Sequence, residues 1–343
     1  MNLKLVICSL ISFFLETALF ADSVLLRGSD TPIECRVISG GLDGLHVELL
    51  SASATITSFP WSSVAQINTE IPRPALEKYL QQGDRLWRAK TRFLRGDLQL
   101  AEPSFALLFR ELEGVKGEDA RLVAEGLLRC YVSKGNLQYA LHPWLETVRL
   151  EELGVPSPYT DLLPILDKST FLCPHLPPLW ETNAYSKQVL EEYKNSTLKA
   201  TSSIASLLLA LQNGDNLSQL EGVSDPAFLL HIVDSARGEN NDDSSVAKQE
   251  ETVSDWKQAW SNYFSAVGML RKGKAESKQR ALILLATVSA QSQRTVPWLS
   301  GSAMLMLADE LKKDGFTEEA DRIQQEMYRV FPTHPLLQSE VPN

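Results

Sequence analysis

Arg95–Phe105 reads RGDLQLAEPSF, and Lys134–Trp144 reads KGNLQYALHPW. A weaker third copy, GFTEEA, begins at Gly315. In each copy a turn glycine (Gly96, Gly135, Gly315) is followed five residues later by an alanine (Ala101, Ala140, Ala320). In the first two an aromatic comes four residues after that alanine, Phe105 and Trp144. Gly96 and Gly135 lie 39 residues apart. Self-similarity at a period near 40 signals stacked helical hairpins, because each hairpin can bury its apolar face only against its neighbour. Arrays of this kind serve as binding surfaces more often than as catalytic sites.

Upstream of the first copy the hydrophobic period changes. Residues 23–67 alternate with a period of two. Ile33, Cys35 and Val37 share one face of a strand, with Glu34 and Arg36 on the other; Leu45, Val47 and Leu49 repeat the pattern. The Gly40–Gly44 cluster turns the chain between these runs. Ser23–Arg27, Thr55–Phe59 and Val64–Ile67 complete a set of five short strands, with Pro60–Ser63 as a tight turn before the last. Five strands in so short a segment suit a small barrel, which leaves few open edges. Ile71-Pro72-Arg73-Pro74 then reads as a hinge. From Ala75 the period becomes 3.6: Leu76, Tyr79, Leu80 and Gly83 open a helix that continues through Trp87 and Phe93.

The hairpins resemble tetratricopeptide repeats. That resemblance implies small residues where the two helices of a hairpin cross, and an aromatic filling the gap to the next hairpin. Ala89, Gly96, Ala101 and Phe105 take these places in the first copy. Leu127, Tyr131, Gly135, Ala140 and Trp144 take them in the second. Leu307, Ala308, Leu311, Gly315 and Ala320 take them in the third, with Pro332 closing the helix. The 39-residue spacing exceeds the family period near 34. The N-terminal strands, with VLLRGSDTPIECRVISGGLDGLHVELL leading and FPWSSVAQI closing, resemble the SH3-like or Sm-like barrels of some exported bacterial proteins. Arg27-Gly28 sits in the first turn, but no matching Asn loop is present and the segment is acidic, so RNA binding is not carried over.

The expected fold class is therefore α+β multidomain: a small N-terminal β-barrel, then an all-α solenoid of tetratricopeptide-like hairpins. The boundaries read as a signal peptide at 1–21, a β-barrel at 22–70 and hairpins at 75–153. A proline-rich crossover with helices follows at 154–237, then a flexible acidic loop at 238–252 and C-terminal hairpins at 253–335. Tyr185–Gln212 and Asp225–Arg237 read as helical, with Ser224 and Asp225 as capping candidates. Trp256, Trp260, Phe264 and Val267 recur at helical spacing and read as core.

Leu5–Leu15 is an 11-residue apolar run behind Lys4, with Ala18 and Ala21 beyond it. This is the pattern of a cleaved secretory signal, and the run is too short to span a bilayer comfortably. It predicts a periplasmic or extracellular protein with no stable membrane span after cleavage. Three cysteines then remain, Cys35, Cys130 and Cys173, and they read as buried thiols rather than a disulfide framework. The net charge of -10 in 343 residues argues against a sequence-independent hold on nucleic acid.

Catalytic motifs are missing: there is no phosphate loop, no HExxH and no Gly-x-Ser-x-Gly elbow. Cys173-Pro174-His175 brings two metal-ligand types together, but a zinc site needs about four. No cofactor, metal or catalytic residue is expected. Arg95-Gly96-Asp97 reads as turn chemistry, and Glu151-Glu152 would diverge on a helix. The leading expectation is a non-enzymatic scaffold or adaptor that binds a protein or peptide partner through its repeat surface. A structural subunit of an envelope assembly, as a homo-oligomer, is the second. An envelope enzyme centred on Asp161, Asp167, Cys173 and His175 in the proline-rich middle is the third, since unusual loops carry function.

Overall fold

A computed structural model describes residues 22–50, 55–69, 73–176, 184–213, 226–237, 255–332 and 334–338. The expected signal at 1–21, the Ile71-Pro72 half of the hinge, the capping candidates Ser224 and Asp225 and the acidic loop at 238–252 lie outside these residues. The chain is α+β: a five-stranded antiparallel sheet precedes a series of helices. It divides into two compact units, one up to Ala120 and one from Arg121.

The first unit holds β1 (Asp22–Leu26), β2 (Ile33–Gly41), β3 (Gly44–Leu49), β4 (Thr55–Phe59) and β5 (Val64–Asn68), in the order β4-β3-β2-β1-β5. Every pairing is antiparallel, and the register shifts between Leu25 and Leu26 and between Val37 and Ser39. The alternation read from the sequence is what the sheet buries: Val24, Cys35, Val37, Leu45, Val47 and Val64 are all within 1% of full burial. A 3-10 turn at Trp61–Ser63 joins β4 to β5. Trp61 is fully buried and donates its indole N–H to the Gly41 carbonyl at 2.7 Å.

Helices α1 (Pro74–Leu94) and α2 (Leu98–Leu112) complete this unit. Tyr79 stacks on Trp61 at 5.3 Å. Gly83 lies against the Trp61 backbone so closely that a Cβ there would stand 2.3 Å from the Trp61 carbonyl oxygen. Asp119 is buried and accepts from the Trp61 and Ser62 amides at 2.6 and 3.2 Å. Compactness thus groups the first hairpin with the sheet it packs on.

The second unit contains most of α3 (Glu118–Lys134), then α4 (Leu137–Glu152), α5 (Ala184–Lys194), α6 (Lys199–Asn213), α7 (Pro226–Arg237) and α8 (Asp255–Lys272). It continues with α9 (Ala275–Gln291), α10 (Pro297–Lys313), α11 (Thr317–Val330) and the short α12 (Pro335–Gln338). Each of α7 to α11 packs on its neighbour in sequence, and α8 also packs on α10. A continuous core runs from Leu128 through Trp144, Leu207 and Trp260 to Leu307. Of the aromatic stripe, Trp256, Trp260 and Phe264 are buried in it.

The helical stretch read at 185–212 is broken at 195–198. The break has a partner outside the segment. Glu152, at the end of α4, accepts from the Ala200 and Thr201 amides and the Thr201 hydroxyl at 2.9 to 3.0 Å. A distant carboxylate thus caps the first turn of α6 and lets a new helix start there. No described helix is long and apolar enough to cross a membrane.

Candidate functional site

The turn glycines of the three copies share one local geometry. Gly96, Gly135 and Gly315 hold φ of 81°, 70° and 88°. In each the glycine N–H bonds to the carbonyl three residues back and the next N–H reaches five residues back: Asp97 to Arg92, Asn136 to Tyr131, Phe316 to Leu311. These are Schellman caps, which need a left-handed residue at the glycine position. Ala89, Ala101, Phe105, Leu127, Ala140, Trp144, Ala308 and Ala320 are buried. Tyr131 is half-buried and lies 6.0 Å from Tyr139. Phe93 and Phe105 meet edge to face across the first hairpin. A fourth turn of related design went unread in the sequence. Ala266, fully buried, precedes Gly273 by the spacing that separates Ala89 from Gly96 and Ala308 from Gly315, and Gly273 holds φ of 67°.

Helices α8 and α10 leave an open groove of about 580 Å³ between them. Val267, Leu270, Leu305 and Met306 give it an apolar lining, and Arg271, Asp309, Glu310 and Lys313 line it with charges of both signs. Leu336 of α12 also lines it. Gly301 on α10 has no room for a Cβ, which would stand 2.6 Å from the His334 ring. His334 rests on Trp298 at 4.7 Å, its Nε2 facing the Trp298 carbonyl at 3.0 Å, and its Nδ1 accepts from the Leu336 amide.

A second concavity, about 390 Å³, lies where the proline-rich crossover folds back over α3 and α4. Arg121, Glu125 and Arg129 recur every fourth residue on α3 and are nearly buried, at 3%, 1% and 11% side-chain exposure. Glu125 accepts from both arginines, from Arg121 at 3.1 Å and Arg129 at 2.7 Å. Arg121 also donates to Glu151 at 2.7 Å and to the Thr147 carbonyl at 2.6 Å. The Arg129 guanidinium lies over the Tyr159 ring at 5.5 Å, and the Tyr159 hydroxyl donates to the Leu122 carbonyl. Burial pushes the Tyr159 phenol well above its ordinary range.

The crossover itself is a self-bonded turn. The Asp167 carboxylate accepts from the amides and hydroxyls of both Ser169 and Thr170. Partial burial works to raise this carboxyl, but the four donors outweigh it and hold it below the usual range. Phe171 follows with φ of 58°, uncommon for a bulky residue, and its carbonyl takes the Trp144 indole N–H at 3.1 Å. Asp161 is exposed nearby. Cys173 is fully buried, and burial pushes its thiol up to about 12. Burial, with the Arg129 charge second, pushes His175 down to about 4, and its Nδ1 is shut from solvent without a hydrogen-bond partner among the described residues. Burial thus favours the neutral form of both groups, and the Cys173 sulfur takes a hydrogen bond from the His175 backbone N–H. Among the described residues no three histidines, cysteines or acids converge as a metal site. Cys35, like Cys173, is a buried thiol. No family model, curated protein or solved structure matches this chain.

Proposed function

We propose that the chain is an exported, non-enzymatic scaffold whose helical hairpins bind a protein or peptide partner. In this reading the hairpins form a tetratricopeptide-like solenoid, and the N-terminal sheet is an SH3-like or Sm-like barrel that serves as a second docking element. The observation that carries the reading is the groove between α8 and α10. First helices of successive hairpins line the inner surface of helical-repeat arrays, where extended partners lie. An apolar lining that also carries charges of both signs suits a peptide, with side chains seated on the apolar part and register set by the charges. The repeated Schellman turns, the small residues before them and the α8–α10 packing support the solenoid. The strand order, the two register shifts and the 3-10 turn before β5 support the barrel.

The test is affinity capture from the envelope fraction of the producing cell, with the parent chain and with Met306→Glu. A partner retained by the parent and lost by the variant is the expected result. An identical set of captured proteins from both chains would overturn the assignment of the groove.

A further inference from the structure

The crossover cavity is separate from that groove and has its own chemistry. Its wall carries three cations, Arg121, Arg129 and Lys168, and two carboxylates, Glu125 and Glu151. The arginines and carboxylates form an alternating chain, Arg129–Glu125–Arg121–Glu151, in which each charge is compensated. Lys168 is exposed and, among the described residues, leaves the wall with one positive charge in excess. Among the described residues Arg129 makes its hydrogen bonds through Nε and Nη2 alone, to Glu125 and the Leu163 carbonyl. Both Nη1 hydrogens are therefore left for a further acceptor. Leu162, Ile165, Leu166 and Phe171 supply an apolar part of the remaining wall, which also holds Ser157, Tyr159 and Thr160.

We infer that this cavity binds a carboxylate attached to an apolar body, whether a small organic acid or the free end of a peptide. The guanidinium edge and the Lys168 ammonium match one anionic group, and the planar fork of arginine suits a carboxylate. A dianion is disfavoured, because Glu125 and Glu151 face the same space and only one positive charge awaits compensation. The volume lies within the range of small-ligand sites, which combine apolar walls with a few placed polar groups. Strain points the same way. Phe171 keeps its left-handed backbone because the Asp167 turn and the Trp144 indole fix both its sides, and this sets its ring in the cavity wall.

Isothermal titration of the full chain with N-acetyl-leucine and with its neutral amide, N-acetyl-leucinamide, tests the inference. The acid is expected to bind about tenfold or more tightly than the amide, the usual effect of a hydrogen-bonded charge. Arg129→Gln and Lys168→Gln should each weaken the acid and leave the amide unchanged. Lys168 is exposed, so its variant tests the site even if Arg129→Gln fails to fold. A short peptide ending in leucine, with a free or an amidated end, separates the two sources. Binding of the free-ended peptide identifies a chain terminus as the ligand class, and binding of N-acetyl-leucine alone identifies a small acid. Equal affinity for acid and amide, or no binding of either at millimolar concentration, would overturn the inference. Partner capture through the groove is read separately, with Met306→Glu, so either idea can fail without the other.

Discussion

At the scale of single residues, the turn glycines are set by backbone geometry. Gly135 sits at φ of 70° with its N–H and that of Asn136 closing the end of α3. A side chain there meets the left-handed penalty, so Gly135→Ala should cost about 1–2 kcal/mol, measurable by urea denaturation. Gly273 belongs with these residues, and the signal that could have found it is the buried alanine seven positions earlier. The charged trio of α3 was harder to see. The four-residue spacing of Arg121, Glu125 and Arg129 suits intrahelical pairs on any solvated helix face, so the sequence alone does not single them out. They are buried because the crossover covers them, and nothing within α3 announces that cover. His175 gives a pH signature. Its pKa falls from the ordinary value to about 4 in the folded chain, so the folded state holds fewer protons than the unfolded one. Stability is then full above the unfolded value and is lost as pH falls toward the folded one. Between about pH 7.5 and pH 5 this histidine should remove roughly 2 kcal/mol. Comparing denaturation midpoints of the parent and His175→Gln at both pH values checks it: the variant should lack that part of the slope.

At the scale of elements, close approach decides the first unit. Helix α1 meets the sheet through Gly83, where an added methyl would run into the Trp61 backbone, which cannot swing aside as a flexible side chain could. Gly83→Ala should therefore destabilise by about 1–3 kcal/mol, although alanine is the better helix former, and thermal melting would register the sign. A stabilised variant would mean that α1 sits elsewhere. The cap on α6 is a second case. Glu152→Ala leaves the Ala200 and Thr201 amides without their acceptor and should cost about 0.5–2 kcal/mol. Circular dichroism during denaturation would follow the loss. The strands were legible because one face of each is buried and the other is not, which writes a period of two into the sequence. The break at 195–198 was not legible, since its capping group comes from another helix.

At the scale of the whole molecule, the chain is α+β, and each of α7 to α11 packs on its neighbour in sequence. The scaffold reading expects a single-chain mass by light scattering after size exclusion. A stable homo-oligomer would favour the structural-subunit alternative instead. Local rules made the sequence a good guide to the strands, most helices and the repeated turns. Left-handed glycines, buried alanines and alternating faces are demands that neighbours in the chain place on one another, so they leave periodic marks. The groove between α8 and α10 and the charged cavity under the crossover were decided only by tertiary structure. Each is made by side chains from different elements, and whether a charged or apolar side chain is covered depends on what folds over it.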